Sequence, residues 1–121
     1  MTREKSLGGL GEGLTVKHLE RLGYKILDRN WHCRYGELDI VAANEAYLAF
    51  VEVKTRRDSR YAPARDAVDR RKREKLLLTA QTWLAEHPEE GRQPRFDVAE
   101  VYTEEGGGRP LLNYLENAFG G

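Results

Sequence analysis

Three charged residues, Asp39, Glu52 and Lys54, interrupt two apolar, strand-like runs in GELDIVAANEAYLAFVEVKTR, residues 36–56. Strand alternation puts Glu52 and Lys54 on one face and Val51 and Val53 on the other. A hairpin turning at Asn44-Glu45 can bring Asp39 beside Glu52, because directly opposed residues hold their Cβ atoms roughly 5 Å apart. Two carboxylates that close repel, and each raises the other's pKa unless a cation sits between them. Hard oxygen donors of this kind suit Mg²⁺ or Mn²⁺. Lys54 points toward the same cavity, where its ammonium can stabilise a phosphoryl oxygen or orient an attacking water. Phosphodiester hydrolysis is the chemistry such a triplet serves. The same residues also fit a cross-strand ion pair between Lys54 and Asp39 or Glu52, worth well under about 1 kcal/mol if exposed.

The elements that must position these groups are legible on either side. In SLGGLGEGLTVKHLERLGYKIL the leucines at 7, 10, 14, 19 and 22 recur at mostly helical spacings, and Gly23 suits a left-handed C-cap. Glycines at 8, 9, 11 and 13 cost this helix about 1 kcal/mol each relative to alanine, so a close approach of its backbone to another surface is expected. They do not form GxGxxG after a strand, and no nucleotide fingerprint is assigned. YKILDRNWHCR reads as a strand, Tyr35-Gly36 as a turn, and ELDIVAA and YLAFVEVKT as two further strands of an antiparallel meander. From about 65 to 86 the period changes: Val68, Leu76, Leu77, Ala80, Trp83 and Leu84 form the stripe of a second helix, which Pro88 ends. RFDVAEVYT is a further strand, Gly106 to Gly108 a connection, and LLNYLENAF a short closing segment. The expected order is αβββαβ, a single mixed α/β domain over residues 1–121.

Composition narrows the class. Of the 121 residues 40% are hydrophobic and 33% charged, which is globular usage rather than that of a disordered chain. No apolar run approaches the roughly 20 residues of a membrane span, and no apolar segment follows the N-terminal charges. The lone Cys33 forms no intramolecular disulfide and reads as a half-buried filler, so a cytoplasmic location is expected. Net charge is zero but uneven: residues 54–75 carry 10 basic and 4 acidic side chains, whereas residues 76–121 carry 3 and 8. Such a block is either a solvated helix face or a phosphate-contacting surface. On the second reading Arg56, Arg57, Arg60, Arg71, Lys72 and Lys75 flank the cleft, with Tyr61 available for stacking on a base. His18, His32 and His87 share no ligand spacing, and Asp97 reads as an acid paired with Arg95.

The blocks GLGE, GYKILDRNW, YGELDIVA, FVEVKTR, AVDRRKREKL, RFDV and the closing NAF together resemble the small bacterial YraN-like proteins, an uncharacterised family. Within them, GELDIVA and FVEVKTR look like the PD-(D/E)XK nuclease superfamily, whose fold includes the archaeal Holliday junction resolvases. The resemblance implies a restriction-endonuclease-like αβββαβ core with a central mixed sheet between helices. It implies Mg²⁺ or Mn²⁺ held by Asp39, Glu52 and the backbone carbonyl of Val53, with Glu12 completing the acidic cluster and Lys54 as catalytic lysine. Thr15 departs from the pattern, standing where alanine is expected. The implied activity is metal-dependent endonucleolytic hydrolysis of DNA, at branched structures and by a homodimer. The alternative is a non-catalytic nucleic-acid-binding or adaptor module that retains the fold.

Overall fold

The computed structural model describes residues 7–56, 69–103 and 109–119. Its elements are α1 (Leu7–Arg21), β1 (Lys25–Cys33), β2 (Gly36–Ala43), β3 (Tyr47–Arg56), α2 (Arg70–Ala85), β4 (Gln93–Tyr102) and β5 (Leu111–Leu115). The strands form one sheet in chain order, with β1-β2, β2-β3 and β4-β5 antiparallel and β3-β4 parallel. The expected αβββαβ order is therefore present, and the parallel pair needs the α2 crossover that lies between its strands. One strand is added to it: LLNYL pairs with β4 from Val98↔Leu115 to Tyr102↔Leu111. Five residues of weak alternation carry too little signal to be read as a strand without that partner.

β3 is central, and its run LAFV is buried on both sides, as a strand with a parallel neighbour and a helix on each face should be. Leu48 and Phe50 join Val41, Ala43 and Val98 under Leu76, Ala80 and Trp83 of α2. Ala49 and Val51 join Ile40, Ala42 and Ala99 under Leu19 of α1. Trp83 donates its indole N–H to Asp28 at 2.8 Å, so the largest core side chain leaves no donor unmet. No helix among the described residues is long and apolar enough to cross a membrane.

The leucine stripe expected for α1 is borne out at Leu19, which is in the core, and not at Leu10 or Leu22. Leu10 and Leu22 are exposed, and the buried positions are Gly11, Thr15 and Leu19, four residues apart. The reason is packing distance: a Cβ on Gly11 would collide with the Thr55 hydroxyl and lie 3.3 Å from Val53 Cγ1, so only glycine lets the helix come this close to β3. Thr15 fits the same face because its hydroxyl donates to the Gly11 carbonyl at 2.8 Å. Gly13 meets nothing within 4 Å, so the close approach explains Gly11 and not Gly13. Gly11→Ala is expected to destabilise the fold by about 1–3 kcal/mol, read as a lower urea midpoint at unchanged slope, because the neighbour that must yield is in the strand bearing the candidate site. In α2, likewise, Leu77 lies outside the buried stripe at 47% exposure.

Two turns set the hairpin geometry. The β1-β2 loop is Arg34-Tyr35 rather than Tyr35-Gly36, since Cys33 pairs with Gly36. Gly36 instead begins β2, where a side chain would press on the Thr79 hydroxyl of α2. At the β2-β3 turn the Asn44 side chain accepts from the amides of Ala46 and Tyr47, at 2.9 and 2.7 Å. Gly23, at φ 93°, ends α1 as expected. Asp97 is fully buried and takes both prongs of the Arg95 guanidinium at 2.9 Å, the Tyr114 hydroxyl at 2.6 Å and the Asn117 amide at 2.9 Å. The expected Arg95 partnership thus ties β4 to β5 and, through the Tyr24 hydroxyl, to the end of α1.

Candidate active site

The site forms where β2 and β3 part. Their ladder pairs Ile40 with Val51, and beyond that point the Val53 amide donates to the Asp39 carboxylate at 2.8 Å. A side chain thereby takes the place of a main-chain acceptor, which fixes Asp39 at the base of the opening. Along β3, Glu52 follows Leu48 and Phe50 on the face covered by α2, and it pairs in register with Val98 of the same core cluster. Glu52 is therefore 8% exposed and faces α2.

Two ammonium groups meet Glu52 on one oxygen, Lys72 at 3.0 Å and Lys54 at 3.4 Å. The ion pair foreseen between Lys54 and Glu52 is present, and a lysine from α2 stands nearer still. Burial lowers the Lys72 pKa, but its hydrogen bond and charge interaction with Glu52 outweigh this and leave it raised. Asp39 is displaced further. Burial first, then the Glu52 charge, push its carboxyl from 3.8 to about 7; the Val53 amide opposes this, and the charges of Glu12 and Glu37 add smaller upward contributions. A carboxyl held near neutrality next to another carboxylate is the condition that a cation relieves. Among the described residues no three His, Cys, Asp or Glu side chains converge. Two carboxylates with the Val53 carbonyl fit Mg²⁺, which takes one or two carboxylates and keeps several waters.

Glu12 sits on α1 one residue after the close-packed Gly11, and its carboxylate accepts from Asn30 at 3.1 Å and lies 3.5 Å from Arg29. Asn30 reaches it from a left-handed backbone, φ 52°. The structure so divides the expected cluster: Asp39, Glu52 and Lys54 come together, while Glu12 is held by β1 and reaches Asp39 only through its charge.

A cleft of about 360 Å³ opens over Asp39 and Glu52, walled by Tyr35, Glu37, Arg71, Lys72, Lys75 and Thr79 among others. Of the expected phosphate contacts, Arg71, Lys72 and Lys75 line it. Arg56 ends β3 and accepts from the Thr103 amide through its carbonyl at 2.8 Å. Arg57, Arg60 and Tyr61 lie outside the described residues. Asp69, unread as a site element in the sequence, caps α2 by accepting from the Lys72 amide at 2.9 Å. An N-cap aspartate before a polar helical turn is a recognisable signal, here obscured by the basic run around it. The first turn of α2 is Arg70 to Arg73 with no acidic residue, although cations at a helix N-terminus oppose its dipole by about 0.3–1 kcal/mol each.

The family model described as uncharacterised protein family UPF0102 matches residues 11–101. Over 98 residues the chain is 47% identical to a UPF0102 protein of Frankia casuarinae, covering 81% of this chain and 83% of the relative. It is 44% identical to a UPF0102 protein of Geobacter metallireducens over 95% of this chain and 93% of the relative. With a relative of the same name from Ectopseudomonas mendocina it shares 40% identity over 98% of each chain.

Proposed function

This chain belongs to the uncharacterised protein family UPF0102, and from the geometry of its site we propose that it is a metal-dependent endonuclease of the PD-(D/E)XK kind, related in fold to Holliday junction resolvases. Its substrate is DNA, at branched structures. The observation that carries this reading is the parting of β2 and β3 around Asp39, which leaves Asp39 and Glu52 in one cleft with Arg71, Lys72 and Lys75, and with Lys54 ion-paired to Glu52.

Mg²⁺ or Mn²⁺ held by Asp39, Glu52 and the Val53 carbonyl would supply Lewis acidity and a lowered pKa for its bound water. The chain's own residues do the rest. Lys54, fixed on β3, offers positive charge to the phosphoryl oxygen as negative charge grows there. Arg71 and Lys75 neutralise phosphates on either side of the scissile bond and hold it over the carboxylates. A four-way junction presents two symmetry-related strands, so a two-fold dimer, acting in the cytoplasm, completes the proposal.

The test is cleavage of labelled linear duplex, single strand, flap and four-way junction with Mg²⁺ or Mn²⁺. Cleavage that chelator removes and that favours the branched substrates is expected; no cleavage of any of them would sink the enzymatic reading.

One observation favours the non-catalytic alternative of a nucleic-acid-binding module: Lys72 and Lys54 both meet Glu52, as members of an ion-pair network do. For such a module Arg71→Glu should weaken DNA binding and reduce the salt slope by about one or two, while Asp39→Ala leaves affinity unchanged. A metal effect on affinity that Asp39→Ala removes would exclude that alternative.

A further inference from the structure

Glu52 faces more positive charge than one carboxylate needs. Both ammonium groups converge on its Oε2, and the carboxylate, 8% exposed, has little room to turn toward a third partner. A divalent cation binding the same carboxylate would lie about 2.1 Å from its oxygen. It would then stand next to an ammonium now at 3.0 Å. Two cations cannot share that space without strong repulsion in a partly desolvated cleft, so one lysine must leave.

The two lysines are not equally free to do so. Lys54 projects from the central strand of the sheet and its side chain is 26% exposed. Lys72 comes from the first turn of α2, with its side chain 40% exposed at the wall of the open cleft. Its backbone is pinned by the Asp69 cap while its stem can turn outward. Arg71 and Lys75 line the same cleft, so a phosphate seated there would give the displaced ammonium an anionic partner.

We propose that Lys72 and a divalent cation compete for Glu52, and that metal binding exchanges Lys72 outward to a phosphate of the nucleic acid. The proposal rests on the metal reading above and adds a regulation to it. Without nucleic acid the lysine competes with the metal; with nucleic acid the lysine has a phosphate partner, so each ligand favours the other by reciprocal linkage. The site is thereby kept from taking up metal until a substrate is present.

The experiment is calorimetric titration of Mn²⁺ into the full chain without nucleic acid, comparing wild type, Lys72→Gln and Lys75→Gln. Lys72→Gln is expected to bind Mn²⁺ about ten-fold more tightly or better, within the ordinary range of coupling between two ligands. Lys75→Gln, which removes the same charge from the same cleft, should change affinity by no more than about two-fold, since Glu52's ion pairs are with Lys54 and Lys72. Such a gain cannot come from misfolding. Equal or weaker binding by Lys72→Gln overturns the exchange while leaving the metal site standing. An equal gain in Lys75→Gln also overturns it, since the effect would then be the general field of the cleft. Absence of Mn²⁺ binding in all three proteins removes the metal reading and the exchange with it.

Discussion

Lys54→Ala is expected to slow Mg²⁺-dependent cleavage by about 10²–10³-fold, the loss that follows removal of one preorganised group facing developing charge. Glu52→Ala should abolish it, because the carboxylate serves both as cation ligand and as the anchor of two lysines. Neither change threatens the fold. After Lys54→Ala, Glu52 keeps Lys72 at 3.0 Å; after Glu52→Ala, both lysines are exposed enough to rehydrate. The Lys54 loss should fall on kcat with KM nearly unchanged, since phosphate binding is left to Arg71 and Lys75. Both variants must be purified alongside wild type, because a contaminating nuclease cleaves equally in all three preparations. Equal activity in all three would therefore end the enzymatic proposal.

The second large effect is on stability. Asp39 ionises near pH 7 in the fold and near 3.8 when unconstrained, so between those values the folded chain binds more protons than the unfolded one. Stability from this group accordingly falls as pH rises from about 4 to about 7, and the full cost stands above that window. Three pKa units correspond to about 4 kcal/mol. Asp39→Asn removes the charge yet keeps an oxygen to accept from the Val53 amide. It is expected to stabilise the protein at pH 8 by about 2–4 kcal/mol, raising Tm by about 5–15 °C. The gain should shrink steadily on acidification and be nearly gone at pH 4. Saturating Mg²⁺ should raise the Tm of wild type and not of Asp39→Asn, narrowing the gap, because only the ionised carboxylate offers a full ligand. A variant less stable than wild type at pH 8, or a gain independent of pH, would show that Asp39 carries no such penalty. A residue whose removal strengthens the fold is kept for what it does, which is the usual relation between a site and its scaffold.

The charged triplet was legible because it violates a pattern. Charges at 39, 52 and 54 break apolar alternation, and the alternation itself dictates which face each must take. The same periodicity yielded four of the five strands and both helices, and the Asn44 turn set the hairpin. Asp97 with Arg95 was readable for a similar reason, since a buried acid needs a partner two residues away on the same strand face. β5 was not readable as a strand, because five residues take their hydrogen bonds from β4 and carry little preference of their own.

What the sequence determined by itself, then, is local: element type, the face of each side chain along a strand, and charges confined to one stretch. Tertiary structure alone decided the contacts between distant segments, because those depend on how closely elements approach and where a ladder opens. α1 presses Gly11 against Thr55 and turns Leu10 aside while burying Leu19, which no count of apolar spacing contains. Glu12 is captured by Asn30 and Arg29 of β1 instead of joining Asp39. Lys72, one cation among many in a basic run, reaches Glu52 because Asp69 starts α2 where it does and the crossover lays that first turn over the parting of β2 and β3. Hydrophobic period sets which way a residue points, but only packing sets which residue it meets.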